Sequence, residues 1–157
     1  MSKIIVVISI FLAVSYLIVI IHESITVKRV RNLIISKKKF VTMVLHWCSI
    51  NIGSIKEPYY LKIHNYKHRK FQGAYYPTDK LIEIYIYDEL ELGDLISTLV
   101  HEYFHHLQSV RENAIEDYDK KFEELGQMSP FEVEARKASQ KYTQSCLDWI
   151  LGEMKLK

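Results

Sequence analysis

Residues 101–105 read His-Glu-Tyr-Phe-His, an HExxH sequence. Two imidazoles four residues apart on an α-helix lie one turn apart on the same side, so both can reach one metal ion. Zn²⁺ takes such nitrogens at about 2.1 Å. Glu102 projects about 100° away from His101 around the helix. There its carboxylate can approach a water at the metal without being a ligand. That combination is suited to hydrolysis, with a metal that activates water and a carboxylate that removes its proton. A structural zinc needs no general base, so Glu102 argues for chemistry. The plain alternative is two surface histidines beside an ordinary helix glutamate.

The spacing works only if this segment is helical. Gly93 and Asp94 supply a break and an N-cap, and 95–110 has helical periodicity. Ser97, Thr98, His101, His105 and Gln108 fall on one polar side. Leu95, Ile96, Leu99, Val100, Tyr103 and Leu107 fall on the other. Gln108, one turn after His105, is placed either to orient that ring or to face solvent. His106 points about 100° away from His105 and reads as a neighbour, not a ligand. His46, His64 and His68 read as exposed or structural histidines. A second long helix is expected from Ser129 as cap and Pro130 as first residue. Phe131, Ala135, Ala138, Tyr142, Cys146 and Trp149 recur along it at helical spacing.

A tetrahedral catalytic zinc takes a third protein ligand and keeps one position for water. No glycine-plus-histidine extension follows His105. The second helix opens with Pro-Phe-Glu-Val-Glu-Ala, which offers Glu132 and Glu134. Both flank its apolar face by about 80°, on opposite sides, so facing does not choose between them. Both also suit the first turn of a helix as ordinary acids.

Upstream, 40–52 is an apolar helix candidate, and Gly53, Ser54 and Pro58 break the chain after it. Strands are expected at 59–64, 71–76 and 80–87, the last rich in β-branched and aromatic residues. Their hairpin spacing predicts a small antiparallel sheet. The order helix, sheet, helix, helix defines an α+β fold.

HEYFHHLQ followed by PFEVEA, in this order of elements, resembles the gluzincin-type zincin metallopeptidases, and within them the minigluzincin and ImmA/IrrE-like groups. The resemblance covers roughly 60% of the chain, from about Tyr59 to Leu151. It implies a minimal zincin-like domain with Zn²⁺ held by His101, His105 and Glu132, the last matching an E-x-x-A element that ends at Ala135. Glu134 is the alternative third ligand. It also implies hydrolysis of a protein or peptide substrate, with Glu102 taking a proton from the attacking water and passing it to the leaving amine. In such enzymes the substrate lies along an edge strand, for which 80–87 is the candidate here. Arg136 departs from the acidic or amide residue that relatives often carry. Eleven tyrosines leave the oxyanion donor unassigned.

Composition bounds the rest. With 48% hydrophobic residues among 157 the chain can bury a core, which excludes disorder. Cys48 and Cys146 are too few for a disulfide framework. The net charge of +2 conceals an asymmetry: residues 1–39 carry seven Lys or Arg against Glu23 alone, while the remainder is mildly acidic. A mildly acidic body joined to a basic stem is not expected to bind nucleic acid. Residues 4–21 form an uncharged apolar run of about 27 Å as a helix, long enough to span a bilayer, and no A-x-A-like cleavage site ends it. The expected organisation is a transmembrane anchor at 1–22, a basic stem at 23–39 and the zincin-like domain at 40–157. The basic stem predicts a single-pass membrane protein whose C-terminal domain is cytoplasmic. The reading is thus a membrane-anchored zinc endopeptidase. The rival is a non-catalytic or latent zincin-fold interaction module, its cleft covered by residues 24–51.

Overall fold

The computed structural model describes residues 35–54, 56–111 and 123–155, and also 30, 33 and 120. Its elements in chain order are α1 (Lys37–Asn51), β1 (Tyr60–His64), β2 (Gly73–Tyr76), β3 (Leu81–Tyr85), α2 (Leu92–Arg111), a 3-10 turn (Gly126–Met128) and α3 (Pro130–Lys155). The architecture is α+β, with a three-stranded sheet and helices. Helix α2 is the hub, packing against α3 and α1 and against the sheet.

The helix boundaries follow local capping. Ser36 opens α1, its Oγ accepting from the Lys39 N–H at 3.2 Å. Lys37, Lys38 and Lys39, expected in the stem, therefore form a first helical turn. Ser129 opens α3 as predicted: it is fully buried and its Oγ accepts from the Glu132 N–H at 3.3 Å. Helix α2 starts three residues before the expected position, with Asp94 in its first turn instead of at the cap. First-turn N–H groups have no intrahelical partner, so Gly93 does not stop the helix there.

The apolar side of α2 is buried as its periodicity predicts. Leu95, Ile96, Leu99, Val100, Tyr103 and Leu107 all join the core, with Phe40, Val44, Ile82, Ile84, Cys146 and Ile150. Burying each of these larger aliphatic side chains is worth about 1.5–3 kcal/mol. On α3, Phe131, Ala135, Ala138 and Cys146 are buried. Ala135, which has no side chain beyond Cβ, lets α3 approach α2 closely.

The sheet departs from the expected antiparallel arrangement. Its order is β1-β3-β2, with β1 parallel to β3 and β2 antiparallel to it. The loop from β1 to β2 passes the C-terminal end of β3, where Tyr85 N–H donates to Gln72 C=O and Ile86 N–H to His64 C=O. The chain thus leaves room between its first two strands for the third. The segment expected to be the edge strand is therefore the central one, and β2 is the edge strand beside α2.

The membrane-spanning part of the expected fold is also corrected. No helix among the described residues is long and apolar enough to cross a membrane, so a single-pass membrane placement is not supported. Helix α1 has 15 residues and opens on three lysines. Helices α2 and α3 carry charged side chains along their lengths. The run at 4–21 lies outside the described residues.

Candidate metal centre

His101, His105 and Glu132 converge between α2 and α3, their ligand atoms within 4.8 Å of one another. The two Nε2 atoms are 3.0 Å apart. Glu132 Oε2 lies 3.4 Å from His101 Nε2, and Glu132 Oε1 lies 3.2 Å from His105 Nε2. Ligands bound tetrahedrally at about 2.0–2.1 Å are separated by about 3.3 Å, which matches this triangle. The group can hold a metal ion, and three donors leave a tetrahedral ion one position for water or substrate.

The surroundings prepare His105 for that role. Gln108 Nε2 donates to the Phe131 carbonyl at 3.2 Å and to Glu134 Oε2 at 3.1 Å. Both partners are acceptors, which fixes the amide so that Oε1 faces His105 Nδ1 at 3.0 Å. Nδ1 therefore carries the proton, and Nε2 directs its lone pair into the triangle. Glu134 takes part through Gln108. It is exposed, whereas Glu132 is 6% exposed and turned toward the histidines. Of the two candidate acids, Glu132 is the one brought to the metal group. We expect Gln108→Leu to weaken divalent-metal affinity about 10- to 100-fold, the usual effect of losing an outer partner of a ligating histidine. Competition against a chromophoric chelator measures it, and affinity equal to the parent's would contradict this role.

Charge reinforces the arrangement. Burial raises the Glu132 carboxyl, but hydrogen bonds and charge from His101 and His105 outweigh that and hold it well below the usual carboxylate range. Burial opposes charge on His101, yet Glu132 and Glu102 prevail and raise its pKa. Negative charge is thus concentrated where a cation would sit.

Glu102 is 6% exposed and stands beside this group, on the side toward β2. Burial raises its pKa, partly offset by the two histidines, and the Tyr75 backbone supplies a hydrogen bond. A cleft of about 440 Å³ opens over His101, Glu102, His105 and Glu132, bounded by Phe71, by Gly73 to Pro77 and by Gln127. Arg136 donates to the Gln127 carbonyl and Oε1 at 3.2 and 3.0 Å.

Strand β2 is pinned to α2 by a second buried histidine. His106 Nε2 meets the Glu57 carbonyl at 3.3 Å, so Nε2 carries the proton and Nδ1 accepts from the Tyr75 hydroxyl at 3.0 Å. Ser109 Oγ lies 2.8 Å from the same hydroxyl. His106 is therefore a neighbour that positions the strand and not a ligand, in line with its sequence position.

The β2 lining was not identified from sequence, although Gly73 inside a strand signals a position that a neighbouring group approaches closely. A Cβ built there would lie 2.6 Å from Thr98 Cγ2 and 3.0 Å from both Glu102 Cγ and Ile84 Cδ1. Gly73→Ala should push β2 off α2 and cost about 1–3 kcal/mol, as overpacking does. Urea unfolding of the full chain tests this, and a change below about 0.5 kcal/mol would show that the strand yields freely.

Comparison with protein-family profiles, with curated proteins and with solved structures finds no match for this chain.

Proposed function

We propose that this chain is a zinc-dependent endopeptidase. The observation that carries the reading is the triangle of His101, His105 and Glu132 with Glu102 beside it, next to the edge strand β2. Two imidazole nitrogens and one carboxylate oxygen at tetrahedral separations suit Zn²⁺ among the common divalent ions. When bound, Zn²⁺ supplies Lewis acidity, bringing the pKa of a coordinated water toward neutrality and polarising a carbonyl.

The chain's own groups supply the rest. Tyr85 N–H donates to Gln72 C=O, so by antiparallel alternation Ala74 and Tyr76 also direct their backbone groups at β3. The Tyr75 N–H donates to Glu102, while the Tyr75 carbonyl and both Gly73 backbone groups direct away from β3, toward the cleft. An extended peptide pairing with these groups in the antiparallel sense is held by its main chain, which gives affinity with little sequence selectivity. Its scissile bond then lies beside Glu102. The Glu102 carboxylate accepts a proton from the attacking water and delivers it to the leaving amine nitrogen. Burial favours this transfer, because a desolvated carboxylate is a stronger base than one in water.

Elemental analysis and peptide hydrolysis test the proposal together. The full chain is expected to carry about one zinc and to cleave unstructured polypeptides. Activity should disappear with a zinc chelator and return on adding Zn²⁺. A folded chain that binds no zinc would overturn the reading.

A further inference from the structure

The cleft over the metal group does not end at β2. Phe71 lines it with Tyr76 and Pro77, and the same ring borders the surface formed by Lys67, His68, Arg69 and Lys70. These residues belong to the loop from β1 to β2. Lys67, Arg69 and Lys70 are exposed, and among the described residues none forms an ion pair with a carboxylate.

The loop has a defined shape. His68 Nδ1 accepts from the Lys70 and Phe71 N–H groups at 3.3 and 3.4 Å. The His68 ring packs 4.0 Å from Phe71 and 4.8 Å from Tyr85, centroid to centroid. Lys67 Nζ stands 5.4 Å above the centre of the Tyr87 ring. At the far end, Thr98 Oγ1 of α2 donates to Gln72 Oε1 at 3.2 Å. The turn around His68 therefore presents Arg69 and Lys70 to solvent with little ordering left to do on binding.

Direction follows from the strand. A peptide antiparallel to β2 runs its C-terminal half past Gly73 toward Phe71 and then Lys70. We propose that this loop reads the substrate, selecting peptides with acidic side chains a few residues on the C-terminal side of the scissile bond and an apolar residue over Phe71. The proposal rests on the peptidase reading for the position of that bond, and its partner is identified by charge complementarity. Aromatic rings among cations also suit single-stranded nucleic acid, so the test includes that competitor.

The experiment uses the full chain carrying Glu102→Gln, loaded with zinc. Two fluorescein-labelled peptides, identical except for Glu or Lys at positions in the C-terminal half, are titrated by fluorescence anisotropy. The acidic peptide should bind about 5- to 20-fold tighter, as a few exposed charge pairs allow. The preference should shrink at high ionic strength. It should vanish or invert in Arg69→Glu/Lys70→Glu, while a peptide without charged side chains binds that variant as it binds the parent. Equal binding of the two peptides, or a preference that survives the charge reversal, overturns the proposal. So does an oligothymidylate that displaces the acidic peptide at lower concentration than unlabelled peptide does. The two readings fail separately. A parent chain that cleaves both peptides equally keeps the peptidase reading and refutes this one. Charge-selective binding by a chain that cleaves neither does the reverse.

Discussion

Glu132→Ala abolishes stoichiometric zinc binding, while Glu134→Ala leaves about one zinc per chain: this is the expected result of elemental analysis on the two full-length variants. The carboxylate of Glu132 is the only one within 3.5 Å of both His101 and His105 Nε2 among the described residues. Its loss removes one of three donors and the negative charge that draws the cation in. Zinc affinity should fall by more than the roughly 100-fold that an outer partner alone can cost. Glu134 accepts one hydrogen bond from Gln108, whose Nε2 keeps the Phe131 carbonyl as a second partner. Its removal should lower affinity by less than about tenfold, at or under the mild end of outer-partner losses. Zinc lost from Glu134→Ala and kept by Glu132→Ala would reverse the assignment.

Glu102→Gln should separate binding from chemistry. The substitution keeps size and shape, and Glu102 is not among the three converging ligands. Zinc content should therefore equal that of the parent, and peptide affinity should change little. Hydrolysis should fall by at least about 10²- to 10⁴-fold, because an amide oxygen cannot take the proton that the carboxylate removes. The parent's Glu102 is poised for this: burial raises its pKa and the flanking histidines pull it down, as a bound cation would do further. Activity within about tenfold of the parent would remove Glu102 from its role as general base, on the scale of general-base catalysis.

The group that could hold a metal was legible in the sequence because it depends on helical spacing. His101 and His105 face together on any helix, and Ser129 with Pro130 marks the start of α3 closely enough to place Glu132 in its first turn. The resemblance favoured Glu132 over Glu134, but helical facing did not, since their angular positions on α3 are nearly symmetric; the approach of α2 brings Glu132 to the histidines. Strand order was less legible. Hairpin spacing says which segments are strands, but not that a later one inserts between two earlier ones. One signal for it was nevertheless present. The run Leu-Ile-Glu-Ile-Tyr-Ile-Tyr is nearly continuous in apolar residues, as a strand flanked on both sides tends to be. The Gly93-Asp94 pair misled by suggesting a boundary, where the free first-turn N–H groups let the helix begin earlier.

Insertion of β3 between β1 and β2 also means that the sheet cannot assemble in the order of synthesis. The β2–β3 hairpin closes across Pro77 to Lys80, where the Lys80 N–H donates to the Pro77 carbonyl at 3.2 Å. Strand β1 has no neighbour until β3 is in place, and Tyr60 then pairs with Leu81, about 20 residues away. Closing the longer loop costs more entropy before any contact rewards it. In a refolding experiment with pulsed amide labelling, protection should reach Ala74, Tyr76 and their β3 partners before it reaches β1. The strand that borders the cleft would then be among the earliest parts of the sheet to form, and β1 the last to join.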